Sequence, residues 1–160
     1  MAALRRAVDT VVIRHPLENL AKCSLTPLES RADTRSWLRF LMADSAFSFD
    51  AQGYTELAVD APPLSPADAD RPILLLDATW RLLPKVRAQV TGVTIPRSIP
   101  HGWQTAYPRV SKDGSDPSAG LASVEALFVA QAVMGWTDPN LLEAYYWAES
   151  FRALNAHLMP

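Results

Sequence analysis

The chain has 160 residues, of which 49% are hydrophobic and 20% charged. That is the make-up of a globular domain and not of a disordered segment. One cysteine, Cys23, excludes an internal disulfide framework and a multi-cysteine zinc cluster. A net charge of −2 excludes a globally basic nucleic-acid module. Residues 1–40 nevertheless hold seven Arg or Lys against four acids, which leaves room for a local basic face. No apolar run reaches the roughly 18 residues that a membrane span needs. Asp9 and Arg14 interrupt the first apolar stretch, which makes it a poor signal peptide. The expectation is a cytoplasmic protein with one domain over 1–160, whose N-terminal half (1–62) and C-terminal half (71–160) meet at the proline-rich segment APPLSPADADRP.

In chain order, Thr10–Arg14 (TVVIR) is β-branched, short and closed by His15-Pro16, so it predicts a strand. Trp37, Phe40 and Leu41 fall on one helical face, which predicts a helix over 34–42 capped by Asp33 or Thr34. Residues 54–59 alternate as a strand. Residues 73–76 (ILLL) form a continuous apolar run, the mark of a strand covered on both faces. A helix is expected over 78–90, with Pro84 straining its first turns, then a short strand at 93–95. Residues 101–120 read as a long polar loop. Residues 121–134 read as a helix stopped by Gly135. Thr137-Asp138-Pro139 starts a final helix, with Leu141, Tyr145, Ala148, Phe151, Leu154 and Leu158 as its apolar stripe. Alternating strands and helices predict an α/β layer fold.

Three places are equipped for chemistry. Asp77-Ala78-Thr79-Trp80 follows ILLL, and ligands of α/β sheets bind at the carboxyl ends of strands. Asp77 is thus either a proton acceptor or a helix cap, and Trp80 either a pocket wall or a core residue. The segment 14–28 (RHPLENLAKCSLTPL) gathers Lys22, Ser24 and Thr26 into a turn able to hold an anion, or is simply a strand-to-helix connection. His15 has no metal-like spacing to another histidine, and Cys23 reads as packed. The third place is Arg109 with the loop into Leu121-Ala122-Ser123, where Glu125 is favoured by the helix dipole and is a possible partner of Arg109.

In this order the three segments resemble the DTW-domain proteins and the rRNA aminocarboxypropyltransferases of ribosome biogenesis. HPLENLAKCSLTPL is similar to an HPxE…K…T segment and a KCT turn, DATW to the DTW signature, GLASVEAL to an LSxxEA segment, and LLEAYYWAESFRALNAHL to a closing helix. The resemblance runs from about Val11 to Leu158. It implies a SPOUT-like α/β fold with a C-terminal trefoil knot, S-adenosyl-L-methionine as co-substrate and no metal. The 3-amino-3-carboxypropyl group would pass to N3 of a uridine or pseudouridine in tRNA or rRNA, releasing 5′-methylthioadenosine.

Carried across by residue, the resemblance makes Asp77 the catalytic base or orienting group. Trp80 shapes the sulfonium pocket, and Ser24 holds the aminocarboxypropyl end. Leu75, Ile99, Leu121, Ala122 and Ser123 surround adenine and ribose. Arg14, Lys22, Arg109 and Lys112 are the expected RNA contacts, and with Arg31 they should converge near Asp77. The chain departs from the pattern at Ala78, where many members have Gly, and at Ala122, where Ser is common. It also lacks the cysteine zinc site of some tRNA enzymes and the NPxNYG stretch of the rRNA enzymes. The competing expectations are a SPOUT-type RNA methyltransferase and a non-catalytic RNA- or ribosome-binding module.

Overall fold

A computed structural model describes residues 6–108 and 120–160. Its centre is a five-stranded, wholly parallel sheet. The strands are β1 (Thr10–Arg14), β2 (Leu38–Met42), β4 (Thr55–Leu57), β5 (Ile73–Asp77) and β7 (Ile95–Arg97), in the order β2-β1-β5-β4-β7. A separate parallel pair joins β3 (Phe49–Asp50) to β6 (Val90–Thr91). The helices are α1 (Thr26–Glu29), α2 (Leu83–Arg87), α3 (Ser123–Val133) and α4 (Ala148–Leu154). The expected α/β layer fold is therefore present.

Successive side chains of a strand face opposite sides, and the neighbouring strands β1 and β5 show this directly. Val12 and Leu75 join the apolar cluster of Leu25, Leu28, Leu127, Phe128 and Phe151, under α1, α3 and α4. Val11, Ile13 and Leu74 join Ala43, Ala51 and Val86, under α2. Both faces are covered, which is why these strands read as continuous apolar runs. The proline-rich segment packs into the fold. Leu64 and Asp68 are buried within it, and β5 beyond it inserts between β1 and β4.

Several expected elements change. Residues 38–42 form strand β2 and not part of a helix. Short apolar runs fit either period, and here the open edge of β1 decides, with partners from Thr10–Leu38 to Arg14–Met42. The helix expected over 78–90 shrinks to α2, because Pro84 lacks an N–H and is accommodated only in a first turn. The strand expected at 93–95 lies at Ile95–Arg97. Before it, Gly92 takes φ +85° where a Cβ would meet the Gln52 backbone at 2.7 Å, so only glycine fits. The last helix is broken into a 3-10 turn at Pro139–Leu142, capped by Asp138, and α4. Most of its stripe is kept: Leu141, Tyr145, Ala148 and Phe151 are buried and Leu158 is half-buried, whereas Leu154 is exposed.

α3 is the best-formed helix and is fastened at both ends. Gly135, at φ +102°, closes it as expected, with Trp136 N–H donating to Gln131 O and Gly135 N–H to Ala132 O. Buried Gln131 accepts from Val8 N–H at 2.8 Å and donates to Val8 O at 2.9 Å, locking the helix to the start of β1. At the other end Ala122 stands at the N-cap position without a side-chain acceptor. Ser24, about a hundred residues earlier, supplies the missing oxygen: its Oγ accepts from Val124 N–H at 3.0 Å.

Candidate active site

β1 ends on a cation and β5 on an anion, and the register sets Arg14 opposite Asp77. The connection after β1 folds back over this pair. Asn19 accepts from Ala21 N–H and starts a 3-10 turn, Leu20–Lys22, that delivers Cys23 and Ser24 to the strand ends. The Cys23 thiol then donates to Asp77 Oδ2 at 2.8 Å. From α3, the Ser123 hydroxyl donates to Asp77 Oδ1 at 2.7 Å. Glu18 Oε1 accepts from Thr79 N–H at 2.5 Å, tying the first connection to the turn after Asp77. Residues 14–24, the end of β5 and the start of α3 thus meet at one carboxylate whose side chain keeps 15% exposure.

Burial, and after it the charge of Asp77 and its hydrogen bond, push the Cys23 thiol above its ordinary range; Arg14 opposes this and is outweighed. A thiol held protonated is a donor, not a nucleophile. Cys23 therefore orients Asp77.

Of the expected cofactor set, Ser24 and Ser123 lie at the start of α3 beside Asp77. Leu75, Ile99, Leu121 and Ala122 belong, with Cys23, to one apolar cluster. Trp80 is not a core residue: it is 42% exposed, with the Arg81 guanidinium 5.7 Å from its ring centre.

The basic residues fare differently. Arg14 was expected to meet RNA, but it is 2% exposed and faces the protein interior. A side chain at the end of a covered inner strand has nowhere else to go. Arg31 is tied to Asp33 and to Asn140 O, so it does not join the Asp77 group. The side chain of Lys22, and all of Arg109 and Lys112, lie outside the described residues. Exposed Arg81 and Lys85 follow Asp77 in the chain and were not anticipated.

Glu125 is fully buried. It accepts from Ala122 N–H, Thr105 Oγ1, Ala106 N–H and the Tyr145 hydroxyl, at 2.6 to 3.0 Å. It anchors the connection after β7, and Tyr145 from the stretch before α4, to the start of α3. A partnership with Arg109 lies outside the described residues.

Sequence reasoning missed the Arg14–Asp77 pairing, the thiol donor and the cap from Ser24. One signal for the first was present: TVVIR and ILLLD are two apolar runs ending in opposite charges, and in-register pairing sets those charges together. A surface groove of about 650 Å³ runs along Pro139–Arg152 and includes none of the residues around Asp77. Among the described residues no cluster of three His, Cys, Asp or Glu suits a metal ion, and no helix is long and apolar enough to cross a membrane.

No protein-family model and no curated protein matches this chain. Among solved structures it is similar to the SAM-dependent rRNA:acp-transferase Tsr3 from Vulcanisaeta distributa. The identity is 21% and the TM-score 0.64, over 94% of this chain and 80% of that one. The two chains share a fold, and the Asp77 site lies at the carboxyl ends of that fold's inner strands.

Proposed function

We propose that the protein is an S-adenosylmethionine-dependent RNA aminocarboxypropyltransferase acting on N3 of a uridine or pseudouridine. The observation that carries this reading is the convergence on Asp77 of Cys23, Ser123 and the Ser24-capped start of α3, in a fold shared with an rRNA:acp-transferase.

The residues fit such a co-substrate. Ser24 spends its oxygen lone pair on Val124 N–H and keeps its hydroxyl proton for the carboxylate of the aminocarboxypropyl end. Leu75, Ile99 and Leu121 offer one apolar wall for adenine. When bound, the sulfonium supplies an electrophilic carbon and a neutral thioether leaving group. The work left to the protein is alignment and removal of the N3 proton, a group that holds its proton at neutral pH. Asp77 has accepted two hydrogen bonds, a carboxylate has about four acceptor sites, and the remainder serve to orient N3–H and take its proton. Trp80, exposed beside Asp77 in sequence, walls the reacting centre. Arg81 and Lys85 take over the phosphate contacts that buried Arg14 does not make, alongside Lys22, Arg109 and Lys112. A cytoplasmic location, tRNA or rRNA as substrate, and a C-terminal knot belong to the same reading. The knot depends on the path from β7 to α3, part of which lies outside the described residues.

The test is to incubate the protein with S-adenosylmethionine and total RNA and identify the small product by mass spectrometry. RNA-dependent methylthioadenosine is expected. S-adenosylhomocysteine would establish methyl transfer instead, and no product without cofactor binding would establish a non-catalytic module.

A further inference from the structure

Arg14 is an expensive residue in its position. A guanidinium at 2% exposure loses its hydration, and an apolar side chain would pack an inner strand at lower cost. Its groups are distributed among several partners. Nη1 pairs with Glu29 Oε2 at 2.5 Å, Nη2 reaches Thr26 Oγ1 at 3.4 Å and Cys23 Sγ at 3.7 Å, and the Phe40 ring centre lies 4.3 Å from the guanidinium carbon. Among the described residues Nε alone finds no hydrogen-bond partner, although it is buried, and it faces Asp77 Oδ2 at 3.6 Å. That distance is too long for a hydrogen bond and close enough for an ion pair. The Glu29 contact accounts for the outer end of the guanidinium and leaves the inner end unexplained.

We infer that Arg14 is a positioning residue: from the end of β1 it balances and aims the Asp77 carboxylate, while Cys23 donates to the Oδ2 that Arg14 faces and Ser123 donates to Oδ1. Its effect on catalysis rests on the function proposed above; its effect on the site does not. The inference removes Arg14 from the RNA surface and gives it a role through Asp77.

The sole cysteine reports on this arrangement without reference to any reaction. The charged groups facing its thiol are Asp77 from β5 and Arg14 from β1, with opposite signs. The experiment is the rate of Cys23 alkylation by iodoacetamide against pH, for wild type, Arg14→Met, Arg14→Lys, Asp77→Asn and Glu29→Gln, with circular dichroism as a check of folding. If Arg14 faces the Asp77–Cys23 pair, Arg14→Met slows alkylation about threefold at a fixed pH near 8, and Asp77→Asn speeds it by a similar factor. Glu29→Gln, which disturbs only the outer contact, leaves the profile near wild type. Faster or unchanged alkylation in folded Arg14→Met, or a Glu29→Gln effect equal to it, would overturn the inference and leave Arg14 as a tie between β1 and α1. Arg14→Lys keeps the cation and loses the fork, so it decides the question if Arg14→Met does not fold. Its thiol profile should stay near wild type while kcat for methylthioadenosine falls about tenfold with KM for the cofactor little changed. A Lys variant with wild-type kcat would remove the aiming role. Absence of methylthioadenosine in the wild type would defeat the proposed function, and the thiol profiles would still decide whether Arg14 acts on the site.

Discussion

Two carboxylates lie near the start of α3, and they differ in what surrounds them. Glu125 is sealed: four protein donors converge on it and no surface remains. Asp77 accepts from two donors, faces one incompletely paired guanidinium and stays partly open. A sealed carboxylate has its acceptor capacity spent on its own chain and serves to hold pieces together. An open one, with Arg14 and Cys23 facing one oxygen and Ser123 bonded to the other, keeps acceptor sites for something that arrives. The contrast gives Glu125 a structural place and agrees with the chemical role proposed for Asp77, although both are acids near the start of one helix.

Substitutions should separate the two. The largest effect expected is on activity: Asp77→Ala should lower RNA-dependent methylthioadenosine formation by about a hundredfold or more, measured by mass spectrometry, while cofactor binding by calorimetry persists. Residual turnover near wild type would make Asp77 as structural as Glu125. Glu125→Ala should act on stability instead. It leaves four donors short of an acceptor, and a loss of about 3–5 kcal/mol, read as a fall in Tm of roughly 10 °C, is expected. A variant with an unchanged Tm would break the comparison from the other side.

Smaller effects sharpen it. Ser24→Ala removes the only side-chain oxygen on Val124 N–H among the described residues, at about 1 kcal/mol by chemical denaturation. Ser24→Thr, which retains the hydroxyl, should recover most of that. The smallest effect concerns pH. The Cys23 thiol titrates above its ordinary 9.0 in the folded protein. Its contribution to stability is therefore complete below the unfolded value and is lost as pH rises through the higher folded one. A Cys23→Ser variant should show a flatter Tm profile above about pH 9 than wild type; parallel profiles would mean that burial and Asp77 do not raise the thiol in the folded protein.

Much of the frame was legible because its causes are local. The runs TVVI and ILLL carry enough β-branched and apolar character to be inner strands, and Gly135 has the freedom that a helix stop needs. The position of Asp77 at a strand end follows from the run before it. The helix expected over 34–42 failed where local information is weakest. Nine residues fit both periods, and the choice was made by the free edge of β1. Pro84 was recognised as a strain on a helix, but its actual role as the place where α2 begins emerges only in the fold.

By itself, then, the sequence determined the α/β class, strands β1 and β5 and the candidate acid, since each depends on neighbours within a few residues. Tertiary structure alone decided that Ser24 caps a helix a hundred residues away, that Cys23 donates to Asp77 across 54 residues, and that Arg14 turns inward to that acid rather than outward to solvent. These are matters of strand register and of which polar groups lose their water together. No periodicity along the chain encodes them, because the partner that satisfies each buried group is chosen only when distant segments pack.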